Sequence, residues 1–133
     1  MTARRATYLD SSAIVKLAVA EPESPALRRY LRRRFPLVSS ALATTEVSRA
    51  LLPLGAVAVR RGQQVLARVE LLRVSDRILE DAGSILPADV RSLDAMHLAT
   101  IHQLGSDLAR VVTYDARMAE AAAASGLPVV APA

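Results

Sequence analysis

The chain has no cysteine, no tryptophan and a single phenylalanine among its 133 residues. Without thiols there is no disulfide framework, no zinc-thiolate site and no cysteine nucleophile, which removes several enzyme classes at once. Aromatic residues make up 3% of the chain, so the base-stacking platforms of single-strand binders are not expected. Glycine and proline are too few and too scattered to form a linker, and one domain spanning residues 1–133 is the expectation. Every long apolar stretch is broken by charge before it could cross a bilayer, and Met1-Thr2-Ala3-Arg4-Arg5 leads into a strand pattern rather than a signal-peptide core. A cytoplasmic protein with no membrane association is therefore expected. Lysine is nearly absent too: of 17 basic residues only Lys16 is one.

What is present is 52% hydrophobic residue, enough for a substantial core, arranged in alternating strand and helix patterns. Ala6-Thr7-Tyr8-Leu9 reads as a strand, followed by a helix through Ile14, Val15 and Leu17. A helix begins near Pro22 or Pro25 and ends in an arginine-rich run. Leu37-Val38 is a second strand, and Ala43, Val47, Ala50 and Leu51 share one face of the helix after it. Val65 to Leu72 reads as an apolar helical stretch with Leu66, Val69 and Leu72 on one side, suited to packing or a dimer surface. A weak strand is expected near Arg73-Val74. Ser92 is the expected N-cap of a helix carrying Asp94, His97, Leu98, Ile101 and His102, with Gly105 as its stop. Val111-Val112-Thr113 is the clearest strand, Met118 to Ala122 continues as a helix, and Val129-Val130 closes the series. Parallel strands require crossover connections, so this order implies a mostly parallel central sheet in a three-layer α/β/α sandwich.

Asp10 and Asp115 both fall where a strand gives way to a helix, and Glu46 and Asp94 fall in the early turns of helices. Such positions converge at the carboxyl edge of a parallel sheet. Each has a local use as well: an aspartate there caps a helix or complements its dipole, and Glu46 suits an ion pair with Arg49. Taken jointly, four carboxylates held close together repel one another and lose solvation, so a cation is expected among them. Oxygen ligands without cysteine or a His-rich motif favour Mg²⁺, with Mn²⁺ a possible substitute. These ions bind phosphate oxygens and activate water, which points to phosphodiester or phosphoanhydride chemistry.

Leu9-Asp10-Ser11-Ser12-Ala13, Thr45-Glu46-Val47, Leu93-Asp94-Ala95-Met96-His97-Leu98-Ala99 and Val112-Thr113-Tyr114-Asp115 resemble the ordered acidic motifs of PIN domains. The resemblance covers essentially the whole chain, and its small size is similar to the VapC toxins of bacterial toxin–antitoxin systems. It implies a Mg²⁺-dependent endoribonuclease that is inhibited by a VapB-type antitoxin and forms a homodimer and a toxin–antitoxin hetero-oligomer. By that resemblance Asp10, Glu46, Asp94 and Asp115 are catalytic and bind the metal, while Ser12 and Thr113 are hydroxyls beside them that hold the carboxylates or bound water. The chain differs from some relatives in lacking a further acid shortly after Asp115, where Arg117 and Met118 stand, and this bears on a second metal ion.

The net charge of +4 suits a polyanionic partner such as RNA. Arg32 and Arg33, in the cluster from Arg28 to Arg34, and Arg117, just past Asp115, are candidate contacts to substrate phosphate; a solvated helix face serves equally for the cluster. His97 shares a face with Asp94 and reads foremost as a hydrogen-bonded packing residue. Two other classes use an Asp above a parallel strand or a basic face. A different metal-dependent phosphoryl-transfer enzyme fits less well because Ser12 stands where such enzymes commonly place a second Asp. A noncatalytic RNA- or partner-binding domain has no need of four ordered acids.

Overall fold

β1 (Ala6–Leu9) is buried at all four positions, and the alternation of its side chains divides the molecule into layers. Ala6 and Tyr8 join Val38, Leu108 and Val111 in one core, whereas Leu9 joins Val112 in another. The structure is a computed structural model that describes residues 5–133, so the expectation for Met1 to Arg4 lies outside it.

Each strand runs parallel to its neighbours in the order β3-β2-β1-β4-β5, with β2 at Leu37–Ser40, β3 at Glu70–Leu72, β4 at Leu108–Val112 and β5 at Val129–Val130. On one face lie α1 (Ser11–Ala18), α2 (Ser24–Leu31), α3 (Leu42–Leu51) and α4 (Ala56–Leu66), which bury Ile14, Leu27, Leu31, Val47, Leu51 and Leu66 in the Leu9 core. On the other lie α6 (Ser92–Leu104) and α7 (Ala116–Ala124), which bury Leu98, Ile101, Met118 and Ala122 against Tyr8 and Val111. The short α5 (Asp76–Ala82), capped by Ser75, packs beside α6. This is the expected three-layer α/β/α arrangement. Burying each of the larger side chains contributes about 1.5–3 kcal/mol.

Helix α4 approaches α3 at Gly62, which is buried. A Cβ there would lie 2.6 Å from Leu51 Cδ1 and 3.1 Å from Val47 Cγ1, so the missing side chain sets how closely the two helices pack. Gly105, with φ of 51°, ends α6 in a backbone conformation that other residues resist.

Three expectations are corrected. The helical stretch from Val65 to Leu72 is split: α4 ends at Leu66, and Glu70–Leu72 is β3, paired in register with Val38, Ser39 and Ser40. A short apolar run fits either period, and pairing with β2 decides it. The third strand consequently precedes Arg73-Val74 rather than occupying it. Ser92 is the first residue of α6, not its cap; Arg91 holds the cap position with extended backbone, and its carbonyl accepts the Ala95 N–H at 2.8 Å.

The chain leaves β1 toward β2 and β3, then returns on the opposite side as β4 and β5. The order therefore reverses between β1 and β4, and the crevice above their carboxyl ends is the place where an open α/β sheet offers a site. Leu9 pairs with Val112, which sets Asp10 beside Thr113.

Candidate active site

Asp10 is the N-cap of α1 and only 5% exposed. Its Oδ1 accepts from Ser12 Oγ at 2.5 Å and from the Ala13 N–H at 3.2 Å, and its Oδ2 accepts from Thr113 Oγ1 at 2.5 Å. Both hydroxyls also accept: Ser12 Oγ from the Tyr114 N–H at 2.8 Å, Thr113 Oγ1 from the Asp115 N–H at 3.1 Å. Ser12 and Thr113 thus tie the ends of β1 and β4 together through the Asp10 carboxylate. Burial pushes the Asp10 carboxyl above its ordinary range, while the bonds from Ser12, Thr113 and the Ala13 amide pull it back.

Glu46 projects from α3 and is partly buried. Its Oε1 accepts from Ser11 Oγ and meets His97 Nε2, each at 2.7 Å. Burial raises the Glu46 carboxyl, but the hydrogen bond and charge of His97, with the Ser11 bond, outweigh it and hold the group below its usual value. Glu46 is therefore the acceptor and Nε2 the donor. His97 Nδ1 in turn meets the Tyr8 hydroxyl at 2.5 Å, and burial raises the pKa of that phenol. The two rings meet edge to face, 5.9 Å between centroids. His97 is thus a hydrogen-bonded packing residue that also bears on the site through Glu46. Glu46 pairs with it and not with Arg49.

Asp94 lies in the first turn of α6, as expected, and is partly buried. Burial raises its carboxyl, and the nearby Asp115 and Glu46 raise it further against the opposing effect of His97 and Arg91. Asp115 is exposed and caps α7, its Oδ1 accepting the Arg117 N–H at 2.9 Å and the Met118 N–H at 3.5 Å. The side chain that caps α7 also lines the cleft.

Glu46, Asp94 and Asp115 line one open cleft of about 580 Å³, with Arg91 and Arg117 on its wall. An adjoining cleft of about 380 Å³ shares Asp94, Arg91 and Arg117 and continues past Glu120 and Ala121 of α7. Asp10 does not line the cleft; it is connected to it through Thr113, whose hydroxyl bonds both Asp10 and the Asp115 amide. Among the described residues no three acidic or histidine side chains are gathered closely enough to hold a metal ion. Arg32 and Arg33 are not brought to the acids at all; they line a separate cavity at the other end of the sheet. Three contributors were not singled out from sequence: Ser11 and Tyr8, which act through Glu46 and His97, and Arg91. The first two flank Asp10 and Leu9 and carried a proximity signal; Arg91 carried none beyond preceding Ser92.

Residues 7–124 match the PIN domain family. The chain is 61% identical over 127 residues to ribonuclease VapC46 of Mycobacterium tuberculosis (strain ATCC 25618 / H37Rv), a match spanning 96% of this chain and 98% of that protein. Among solved structures it is similar to M. tuberculosis VapC20, described as a sarcin-ricin loop cleaving toxin, with a TM-score of 0.76 at 18% identity over 95% of this chain and 99% of the other. It also resembles a chain of a toxin–antitoxin complex from Klebsiella pneumoniae, with a TM-score of 0.71 at 20% identity over 96% and 98%. At such identities the structural likeness concerns the fold alone.

Proposed function

Because the chain belongs to the PIN-domain family and, within it, to the VapC ribonuclease toxins, we propose that it is a Mg²⁺-dependent endoribonuclease that hydrolyses RNA phosphodiester bonds. The observation that carries this reading is the cleft itself. Carboxylates from α3, α6 and the end of β4, remote in sequence, face one opening together with two arginines. Hard oxygen donors suit Mg²⁺ or Mn²⁺, and the upward push that Asp115 and Glu46 exert on Asp94 is the repulsion that a divalent cation relieves.

Asp94, Asp115 and Glu46, with Asp10 behind them, are the residues that would hold the ion; no three of them stand closely enough for it in the present arrangement, so binding would have to draw them together. When bound, Mg²⁺ supplies neutralisation of phosphate charge and a lowered pKa for an attacking water. Arg91 and Arg117 are placed to hold substrate phosphate against the carboxylates. Ser11 and His97 fix the orientation of Glu46, and Ser12 and Thr113 fix Asp10, so that the carboxylates are held by groups that do not themselves react. No protein nucleophile is needed.

This reading includes inhibition by a VapB-type antitoxin that covers the acidic cleft, assembly as a homodimer and toxin–antitoxin hetero-oligomer, and action in the cytoplasm as one nuclease domain over residues 1–133. No helix among the described residues is long and apolar enough to cross a membrane. Incubating the purified protein with total RNA, with Mg²⁺ or with EDTA, tests the activity. Cleavage that proceeds undiminished in EDTA refutes it.

A further inference from the structure

Past Asp94 the acidic cleft opens into the adjoining cleft of about 380 Å³, and the two share Arg91, Asp94 and Arg117. One wall of the adjoining cleft is the segment leading into α6, with Pro87, Asp89 and Val90; the other is α7, with Glu120, Ala121 and Ala124. Arg117, Glu120, Ala121 and Ala124 follow helical spacing, so they lie along one side of α7 over about 10 Å, at roughly 1.5 Å per residue.

The lining is ordered by chemistry. Two guanidinium groups stand at the junction with the acidic cleft, apolar side chains line both walls beyond it, and each of those walls carries one carboxylate. Arg117 and Glu120 have the i, i+3 spacing at which opposite charges pair on a helix, yet they do not pair. The ion pairs among the described residues are those of Lys16, Arg77 and His97, and neither Arg91, Arg117, Asp89 nor Glu120 spends its side chain on a hydrogen bond within them.

That order selects the occupant. A phosphate can enter as far as the arginines, but carboxylates on both walls repel it beyond them. A cationic side chain suits the carboxylates and is repelled by the two guanidinium groups at the same opening. A nucleotide satisfies both ends, with its phosphate on the arginines and its planar base between the apolar walls. Carboxylates only accept hydrogen bonds, so the edge of that base must donate. Cytosine and adenine set an acceptor nitrogen beside their amino group, and uracil flanks its single N–H with two carbonyls. Guanine offers N1–H and the N2 amino group side by side, the spacing that the two oxygens of one carboxylate accept. We propose that this cleft is a base-reading subsite for the guanine of a nucleotide next to the phosphate held by Arg91 and Arg117. Glu120 accepts from N1–H and the N2 amino group, and Asp89 supplies a further acceptor on the opposite wall. The subsite rests on the ribonuclease reading for its substrate and adds a base preference to it, with cuts beside guanosine.

Fluorescence anisotropy with uridine pentanucleotides in EDTA, where cleavage is silent, measures that preference. A central guanosine should bind about tenfold more tightly than a central uridine or adenosine, the size of one bidentate base contact. Inosine, which lacks only the 2-amino group, should lose most of the gain, and 7-deazaguanosine, altered on the other edge, should keep it. Glu120→Gln with Asp89→Asn, shown to be folded by circular dichroism, should bring the guanosine and uridine affinities together. Equal affinities in the parent, full binding of inosine, or a preference that survives in the folded double variant each overturn the subsite. Loss of antitoxin affinity in that variant, with its RNA preference intact, assigns the cleft to a protein and overturns it too. Mapping the cuts in total RNA with Mg²⁺ separates the two readings. Cuts without guanosine beside them refute the subsite alone, whereas a guanosine preference in EDTA without any cleavage in Mg²⁺ refutes the nuclease reading alone.

Discussion

The hydroxyl of Tyr8 shares a hydrogen bond with Nδ1 of His97, 89 residues away, and so links the central strand of the sheet to the helix that carries Asp94. Through Nε2 the same ring reaches Glu46 on the opposite layer, and the three side chains make a continuous path from core to cleft. Tyr8→Phe should cost about 1 kcal/mol of stability by removing one buried hydrogen bond. His97→Ala should cost about 2–4 kcal/mol, because it leaves a void and removes the buried bonds to Tyr8 and Glu46. Both should weaken Mg²⁺ binding about tenfold by freeing Glu46. Urea denaturation and metal titration check the two effects separately, and Mg²⁺ affinity unchanged in both variants would show that the path is structural only.

Ser12 and Thr113 hold Asp10 from both sides while accepting backbone amides from the residues after β4. Thr113→Val keeps the shape and removes the hydroxyl, leaving Asp10 Oδ2 and the Asp115 amide short of a partner. A loss of about 1–3 kcal/mol is expected, larger than for a surface threonine. Activity should fall with it, since the same hydroxyl steadies both acids. Thermal unfolding and cleavage rate should move together, and retention of both would show that the hydroxyl is dispensable.

Asp94→Asn and Asp115→Asn preserve volume and remove charge from the cleft. Each should abolish most RNA cleavage while the protein stays folded, and in EDTA Asp94→Asn should be at least as stable as the parent because repulsion is relieved. Glu70→Gln, on the exposed edge of β3, is the control and should change neither. Equal damage from the control would show that the losses are not specific to the cleft. Adding Mg²⁺ should raise the melting temperature of the parent and leave that of the Asn variants nearly unmoved.

Gly62→Ala tests the α3–α4 contact far from the chemistry. The added methyl meets Leu51 Cδ1, the end of a flexible side chain, and then Val47. Overpacking should cost about 1–3 kcal/mol, less any gain from the better helix former. Combining it with Leu51→Val should recover part of the loss, as read from denaturation midpoints. Additive losses in the double variant would show that the two residues are not in conflict.

The alternation of strands and helices, and with it the three layers, was legible because apolar period and capping chemistry are local properties of the chain. Tyr8 and Leu9 already show the two-residue alternation that assigns them to opposite cores. Asp10 and Asp115 were legible as candidates for the same reason, each sitting at a strand-to-helix junction. The stretch around Glu70 was not, since three residues satisfy either period and only hydrogen bonds to β2 choose between them. Nor was the pairing of Glu46 with His97, 51 positions apart, for it depends on α3 and α6 meeting above the sheet edge from opposite layers. The arginines show the division most sharply. Their charge is written in the sequence, but charge has no address. Strand direction and order place Arg5, Arg33 and Arg110 at the amino end and Asp94 and Asp115 at the carboxyl end. Composition determined that this protein could attract a polyanion, and tertiary structure alone decided which cations stand with the carboxylates, Arg91 and Arg117, and which gather at the opposite end of the sheet.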